Sequence, residues 1–101
     1  MTEEPVYLII NATPDPEKME QFIEYNTKIV PVVQASGAEI IGRFKVTEQL
    51  KGEGGPKAVA IFKFANPAGV EKFMTSDGFT GLAALRAVAF SKLDIMLSQG
   101  M

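Results

Sequence analysis

The sequence predicts an α+β domain in which an antiparallel sheet carries its helices on one face. Three observations predict it. Four separated stretches are rich in β-branched and aromatic residues or alternate with a period of two. Asp15-Pro16 and Asn66-Pro67 each place a capping side chain before a proline, ahead of a stretch with helical spacing. The segments run strand, helix, strand, strand, helices, strand.

Val6 to Thr13, bounded by Pro5 and Pro14, reads as the first strand. Asp15-Pro16 then opens a helix in which Met19, Phe22, Ile23, Asn26, Val30 and Val33 form the apolar stripe, ending before Gly37. Pro31 lies inside this helix. It lacks a backbone donor, so a kink or a split near Thr27 is expected. Ala38 to Leu50 is the second strand, Gly52-Glu53-Gly54-Gly55-Pro56 a hairpin loop, and Lys57 to Ala65 the third strand. Asn66-Pro67 opens the second helix. At one constant offset Asp15-Pro16, Met19, Phe22 and Ile23 fall on Asn66-Pro67, Val70, Phe73 and Met74, implying two similar strand–helix halves. After a break at Asp77-Gly78, Phe79, Leu82, Leu85 and Phe90 mark another short helix, and Lys92 to Ser98 is the last strand. This order is the split βαβ, or ferredoxin-like, arrangement over a single domain, residues 1–101.

Alternation along the second strand assigns Ile40, Gly42, Phe44 and Val46 to the helices. It sends Glu39, Ile41, Arg43, Lys45 and Thr47 to the other face. The first strand turns Leu8 and Ile10 to the helices and leaves Tyr7, Ile9 and Asn11 opposite. The third is apolar on both sides, with Ala58, Ala60, Phe62 and Phe64 on one and Val59 and Ile61 on the other. A sheet face open to water should be polar. This one mixes aromatic, aliphatic and charged residues, so a second copy of the chain is expected to cover it.

Composition removes several function classes. The chain has neither cysteine nor histidine. That excludes disulfides, a thiolate nucleophile, Ser-His-Asp catalysis, histidine-ligated haem and the common zinc sites. Neither a transition metal nor a flavin is expected, and the glycines at 52–55 lack the following Lys-Ser/Thr of a phosphate loop. A net charge of −2 with scattered lysines and arginines gives no nucleic-acid footprint. No apolar run reaches the roughly 20 residues of a membrane span. The N-terminal Met1-Thr2-Glu3-Glu4-Pro5 lacks the basic and apolar regions of a signal peptide, so a cytoplasmic home is expected.

A set of residues also resembles a known family. Asp15-Pro16-Glu17, Tyr25, Pro31, Gly37, Arg43, Glu53-Gly54, Ser76-Asp77-Gly78-Phe79, Leu85-Arg86, Asp94 and Gly100 are similar, in order and spacing, to the DUF1330 proteins. These are small members of the dimeric α/β-barrel superfamily. The chain departs from the family's Gly-Gly at Gly37-Ala38 and from its Arg-Gly-Gly at Arg43-Phe44-Lys45. Phe73 or Met74 stands at a family tryptophan, and Phe79 at a turn tyrosine. The resemblance implies a homodimer whose two sheets face each other around a barrel-like interior. It supplies no reaction, although some relatives in the wider superfamily are cofactor-free oxygenases of phenolic or quinone-like compounds.

Arg43 is the leading ligand candidate, because a guanidinium binds carboxylate or phosphate through two parallel hydrogen bonds. The structural alternative is an ion pair with Glu39, Glu48 or Asp94, or with a second copy of the chain. Arg86 is a second candidate, against a carbonyl cap or a pair with Asp77 or Asp94. Tyr25 lies at the edge of the first helix's stripe and Asn26 at its centre, where an amide needs partners. Tyr7 and Asn11 share the sheet face away from the helices and could donate to a ligand or simply pack in an interface. The expected protein is a homodimer holding a small anionic or phenolic ligand near Arg43, between sheet and helices. A cofactor-independent enzyme of oxygenase or isomerase type and a purely structural dimer stand as alternatives. A pocket holding Arg43 and a carboxylate with a strongly raised pKa would favour the enzyme, arginine and apolar groups alone would favour binding, and no pocket would favour the structural dimer.

Overall fold

The computed structural model describes residues 4–101; residues 1–3 of the acidic N-terminal segment lie outside the described part. The chain forms β1 (Val6–Pro14), α1 (Met19–Ala35), β2 (Glu39–Lys45), β3 (Ala58–Phe64), α2 (Pro67–Thr75), α3 (Asp77–Thr80), α4 (Ala83–Ala89) and β4 (Phe90–Gln99). The four strands make one antiparallel sheet in the order β2-β3-β1-β4. This is the α+β, ferredoxin-like arrangement that the order of segments predicts.

The two cap-plus-proline signals end differently. Asn66 caps α2, its side-chain oxygen accepting from Gly69 N at 3.0 Å with Pro67 in the first turn. Asp15 caps no helix. Its Oδ1 accepts from Glu17 N at 2.9 Å and its carbonyl from Lys18 N, making a turn after which α1 starts at Met19. Helix α1 then runs unbroken through Pro31 for 17 residues. Thr27 and Pro31 are both on the exposed side of the helix, where water can take the place of the donor that Pro31 lacks, and the helix does not split.

The buried line of α1 is Tyr25, Ile29 and Val33. Two members of the expected stripe, Met19 and Ile23, are 44% and 61% exposed. The stripe is therefore rotated by part of a turn, bringing Tyr25 from its edge into the core. Val6, Leu8, Phe62 and Phe64 on the sheet meet Val33 from α1 and Val70 and Phe73 from α2. Full burial of each such side chain contributes roughly 1.5–3 kcal/mol.

One strand departs from simple alternation. Ile40 pairs with Phe62, but Gly42 pairs with Ile61, so Ile41 is an extra residue opposite no partner. Beyond it the two faces exchange. Arg43 pairs with Ala60 and Lys45 with Ala58, on the helix face; Gly42 and Phe44 pair with Ile61 and Val59, on the far face. This corrects the expected assignment of Arg43 and Lys45 to the bare face and of Gly42 and Phe44 to the helices. The physical reason is the bulge, which costs the count one residue. On the far face the Phe44 ring lies back over Gly42, where any Cβ would overlap it.

Candidate functional site

The helix-facing side of the sheet is graded in size. At one end Val6, Leu8, Phe62 and Phe64 fill the space beneath the helices. At the other, Ala12 pairs with Ala58 and Ile10 with Ala60, and these alanines project too little to reach α1. The result is a cleft of about 490 Å³ between α1 and the sheet. That volume suits a small organic molecule.

Its wall from α1 includes Met19, Phe22, Tyr25, Asn26 and Ile29; Phe73, Phe79 and Phe90 add aromatic surface. Among the described residues the charged groups that line it are Arg43, Lys45 and Lys57, and no aspartate or glutamate does so. Arg43 is exposed and makes no ion pair among the described residues, whose two salt bridges are Lys28–Glu24 and Lys92–Asp94. Of the structural alternatives for Arg43, the pairs with Glu39, Glu48 or Asp94 of its own chain do not form among the described residues.

Tyr25 and Arg86 are locked together. Arg86 Nε donates to the Tyr25 hydroxyl at 3.1 Å, and Nη2 donates to the Phe79 carbonyl at 2.6 Å. Its guanidinium also lies 3.8 Å from the centre of the Phe79 ring, a cation–π contact. Phe79 is held in turn by Ser76, whose Oγ accepts from Phe79 N at 3.2 Å and donates to Phe73 O at 2.7 Å. The Ser76-Asp77-Gly78 break thus sets the position of the carbonyl that Arg86 grips. Tyr25 is nearly buried, edge-on to Phe90 at 5.3 Å, and Phe22 is edge-on to the same ring at 5.5 Å.

The sequence-derived candidates therefore divide. Arg43 and Tyr25 line one cleft, with Asn26 half-buried beside them, and Arg86 stands behind Tyr25. Tyr7 and Asn11 pair with Lys63 and Val59 on the opposite face of the sheet and are not brought to the cleft. Lys45 and Lys57 were not singled out from sequence. Gly42 was the available signal for Lys45, since a lone glycine within a strand pattern marks a bulge and a change of face. The glycines of the 52–55 loop form a hairpin connection, with Gly52 and Gly54 at positive φ and the Gln49 side chain bonding Lys51 O and Gly55 N.

Solved structures share this architecture at low sequence identity. A protein of unknown function from Rhodopseudomonas palustris superposes with a TM-score of 0.83 at 14% identity, covering 98% of this chain and 84% of that one. A conserved protein from Methanosarcina mazei gives a TM-score of 0.74 at 14% identity, over 98% and 95% of the two chains. A candidate antibiotic biosynthesis monooxygenase from Nitrosomonas europaea gives 0.73 at 10% identity, over 100% and 94%. No curated protein matches the chain significantly. The family match covers nearly all of the fold just described: residues 5–101 fit the domain of unknown function DUF1330, and the chain belongs to that family.

Proposed function

We propose that this protein is a homodimer whose subunits each bind a small amphipathic anion in the cleft, with the anionic group at Arg43 and Lys45 and the apolar body against the α1 wall. The observation that carries this reading is the make-up of the cleft: its charged lining is cationic throughout, and the remainder is largely apolar or aromatic. Uncompensated cations at the rim of an apolar cleft attract and orient an anion. A carboxylate, phosphate or enolate meets that requirement. Binding without turnover is favoured over a cofactor-independent enzyme because, among the described residues, no carboxylate lines the cleft to act as a base. The likeness to a candidate monooxygenase supports the fold and carries no reaction to this chain.

The dimer rests on the other face of the sheet. Ile41, Phe44 and Met96 are 48%, 55% and 40% exposed there, beside Ile9, Val59 and Ile61; Phe44 and Val59 also reach the margin of the cleft. A contiguous apolar face of this kind marks an interaction surface. A second copy covering it would bury on the order of 2,000 Å² in total. Light scattering is expected to give twice the chain mass of 10.9 kDa.

Ligand binding is tested by calorimetry with small aromatic carboxylates and their matching primary amides. The carboxylates are expected to bind and the amides not, with affinity falling as salt is raised. Arg43→Met should weaken carboxylate binding about tenfold, the lower end for a charge-assisted hydrogen bond, because Arg43 is solvent-exposed. Equal affinity for acid and amide would refute the anionic ligand.

A further inference from the structure

We infer that the ligand carries, besides its anionic group, an uncharged oxygen acceptor, and that Tyr25 donates a hydrogen bond to it; this rests on the reading that the cleft takes an anion. The Tyr25 hydroxyl has two roles to fill, one as acceptor and one as donor. Arg86 fills the first, its Nε donating to the phenol oxygen at 3.1 Å. The hydroxyl proton has no acceptor among the hydrogen bonds of the described residues. Tyr25 also lines the cleft. Its unspent donor is therefore available to whatever occupies that space.

Two features strengthen that donor. A cation bonded to the phenol oxygen polarises the O–H bond, and polarised chains of hydrogen bonds reinforce one another in a low-dielectric setting. Arg86 itself is immobilised by the Phe79 carbonyl and ring, so the phenol oxygen is gripped from one side and its proton is confined to the remaining directions. Around it the edge-to-face set Phe22–Phe90–Tyr25 offers flat apolar surface. A hydrocarbon pressed against the hydroxyl would leave its proton unpaired and cut off from water, which is costly. A carbonyl oxygen in the same place would receive it. The ligand class is thus an aromatic or enolic acid bearing a ketone, quinone or ether oxygen apart from its charged end. A site built to satisfy a polar group rejects the analogue that lacks it.

The test is a calorimetric comparison of near-isosteric probes: para-acetylbenzoate against para-isopropenylbenzoate, and the corresponding naphthoates substituted on the far ring, which place the same group farther from the carboxylate. In one pair at least, the acetyl probe is expected to bind about threefold to tenfold tighter to the wild-type protein. Tyr25→Phe should abolish that preference. Carbon-13 labelling at the tyrosine Cζ gives an independent readout that needs no change at Tyr25. The chain has two tyrosines, and Tyr7→Phe leaves Tyr25 alone. Its signal should move further with the acetyl probe than with the isopropenyl one. Equal binding of both members of each pair, with carboxylates still preferred over amides, would overturn the Tyr25 donor and leave the anion reading intact. Failure of every probe to bind would overturn both.

Discussion

The cleft exists because alanines stand where the rest of the sheet's helix face carries larger residues, and Ala60→Leu turns that statement into a prediction with a definite sign. Ala60 is half-buried on the helix face, between Ile10 on β1 and Arg43 on β2. In a well-packed core such an enlargement forces strain costing roughly 1–3 kcal/mol. Here the added atoms enter the open space of the cleft. Three further carbons at about 0.8 kcal/mol per buried CH₂ give a little over 2 kcal/mol at full burial. Partial exposure reduces this, and ordering the leucine costs roughly 0.5–1 kcal/mol. A net stabilisation of about 1 kcal/mol remains, which for a domain of this size raises Tm by about 4–8 °C. Differential scanning calorimetry at fixed protein concentration measures it, and titration with an aromatic carboxylate should show binding lost. A lowered Tm would refute the reasoning, because it would mean that this end of the sheet is already packed.

Ser76→Ala removes the cap of α3 and one partner of the Phe73 carbonyl; a loss of about 1 kcal/mol is expected in urea unfolding. Ser76→Asp, which restores the acceptor for Phe79 N, should recover most of it. Asn66→Ala should likewise cost about 1 kcal/mol at the start of α2, measured in the same way. Tyr25→Ala should destabilise by roughly 3 kcal/mol, whereas Ile23→Ala, two positions earlier, should stay within about 0.5 kcal/mol by thermal unfolding. Phe44→Lys is expected to reduce the mass seen by light scattering to that of one chain while leaving the far-ultraviolet circular dichroism unchanged.

Much of the fold was legible because local signals agreed with one another. The Asn66-Pro67 cap, the hairpin glycines and the doubly apolar third strand each point to the element that forms. The misreadings share a cause: a local signal was followed where hydrogen bonding and packing elsewhere in the fold decide the outcome. Asp15 has the chemistry of a helix cap, but its side chain closes a local turn three residues ahead of the helix. Met19 and Ile23 are apolar and correctly spaced, yet a stripe read from spacing alone can be rotated, and packing against Phe90 chose Tyr25. The same limit governed the site. Arg43 could be picked out as a cation, but the register that gives it a direction depends on hydrogen bonds between strands. The Arg86–Tyr25 bond joins residues 61 positions apart, which no local pattern encodes.

The extra residue at Ile41 bears on how this strand should be matched to its relatives. Ile40 and Gly42 already oppose successive residues of β3, so deleting Ile41 would close the ladder without moving Arg43 or Phe44 to another face. A homologue with a regular ladder therefore needs a gap opposite position 41. An alignment forced through without that gap would set Arg43 against a residue from the opposite side of the sheet, making a position on the helix face look like one on the far face. Comparisons of this strand across the family are meaningful only when columns follow inter-strand pairing, and the two halves of β2 can gain or lose that residue without exchanging their roles.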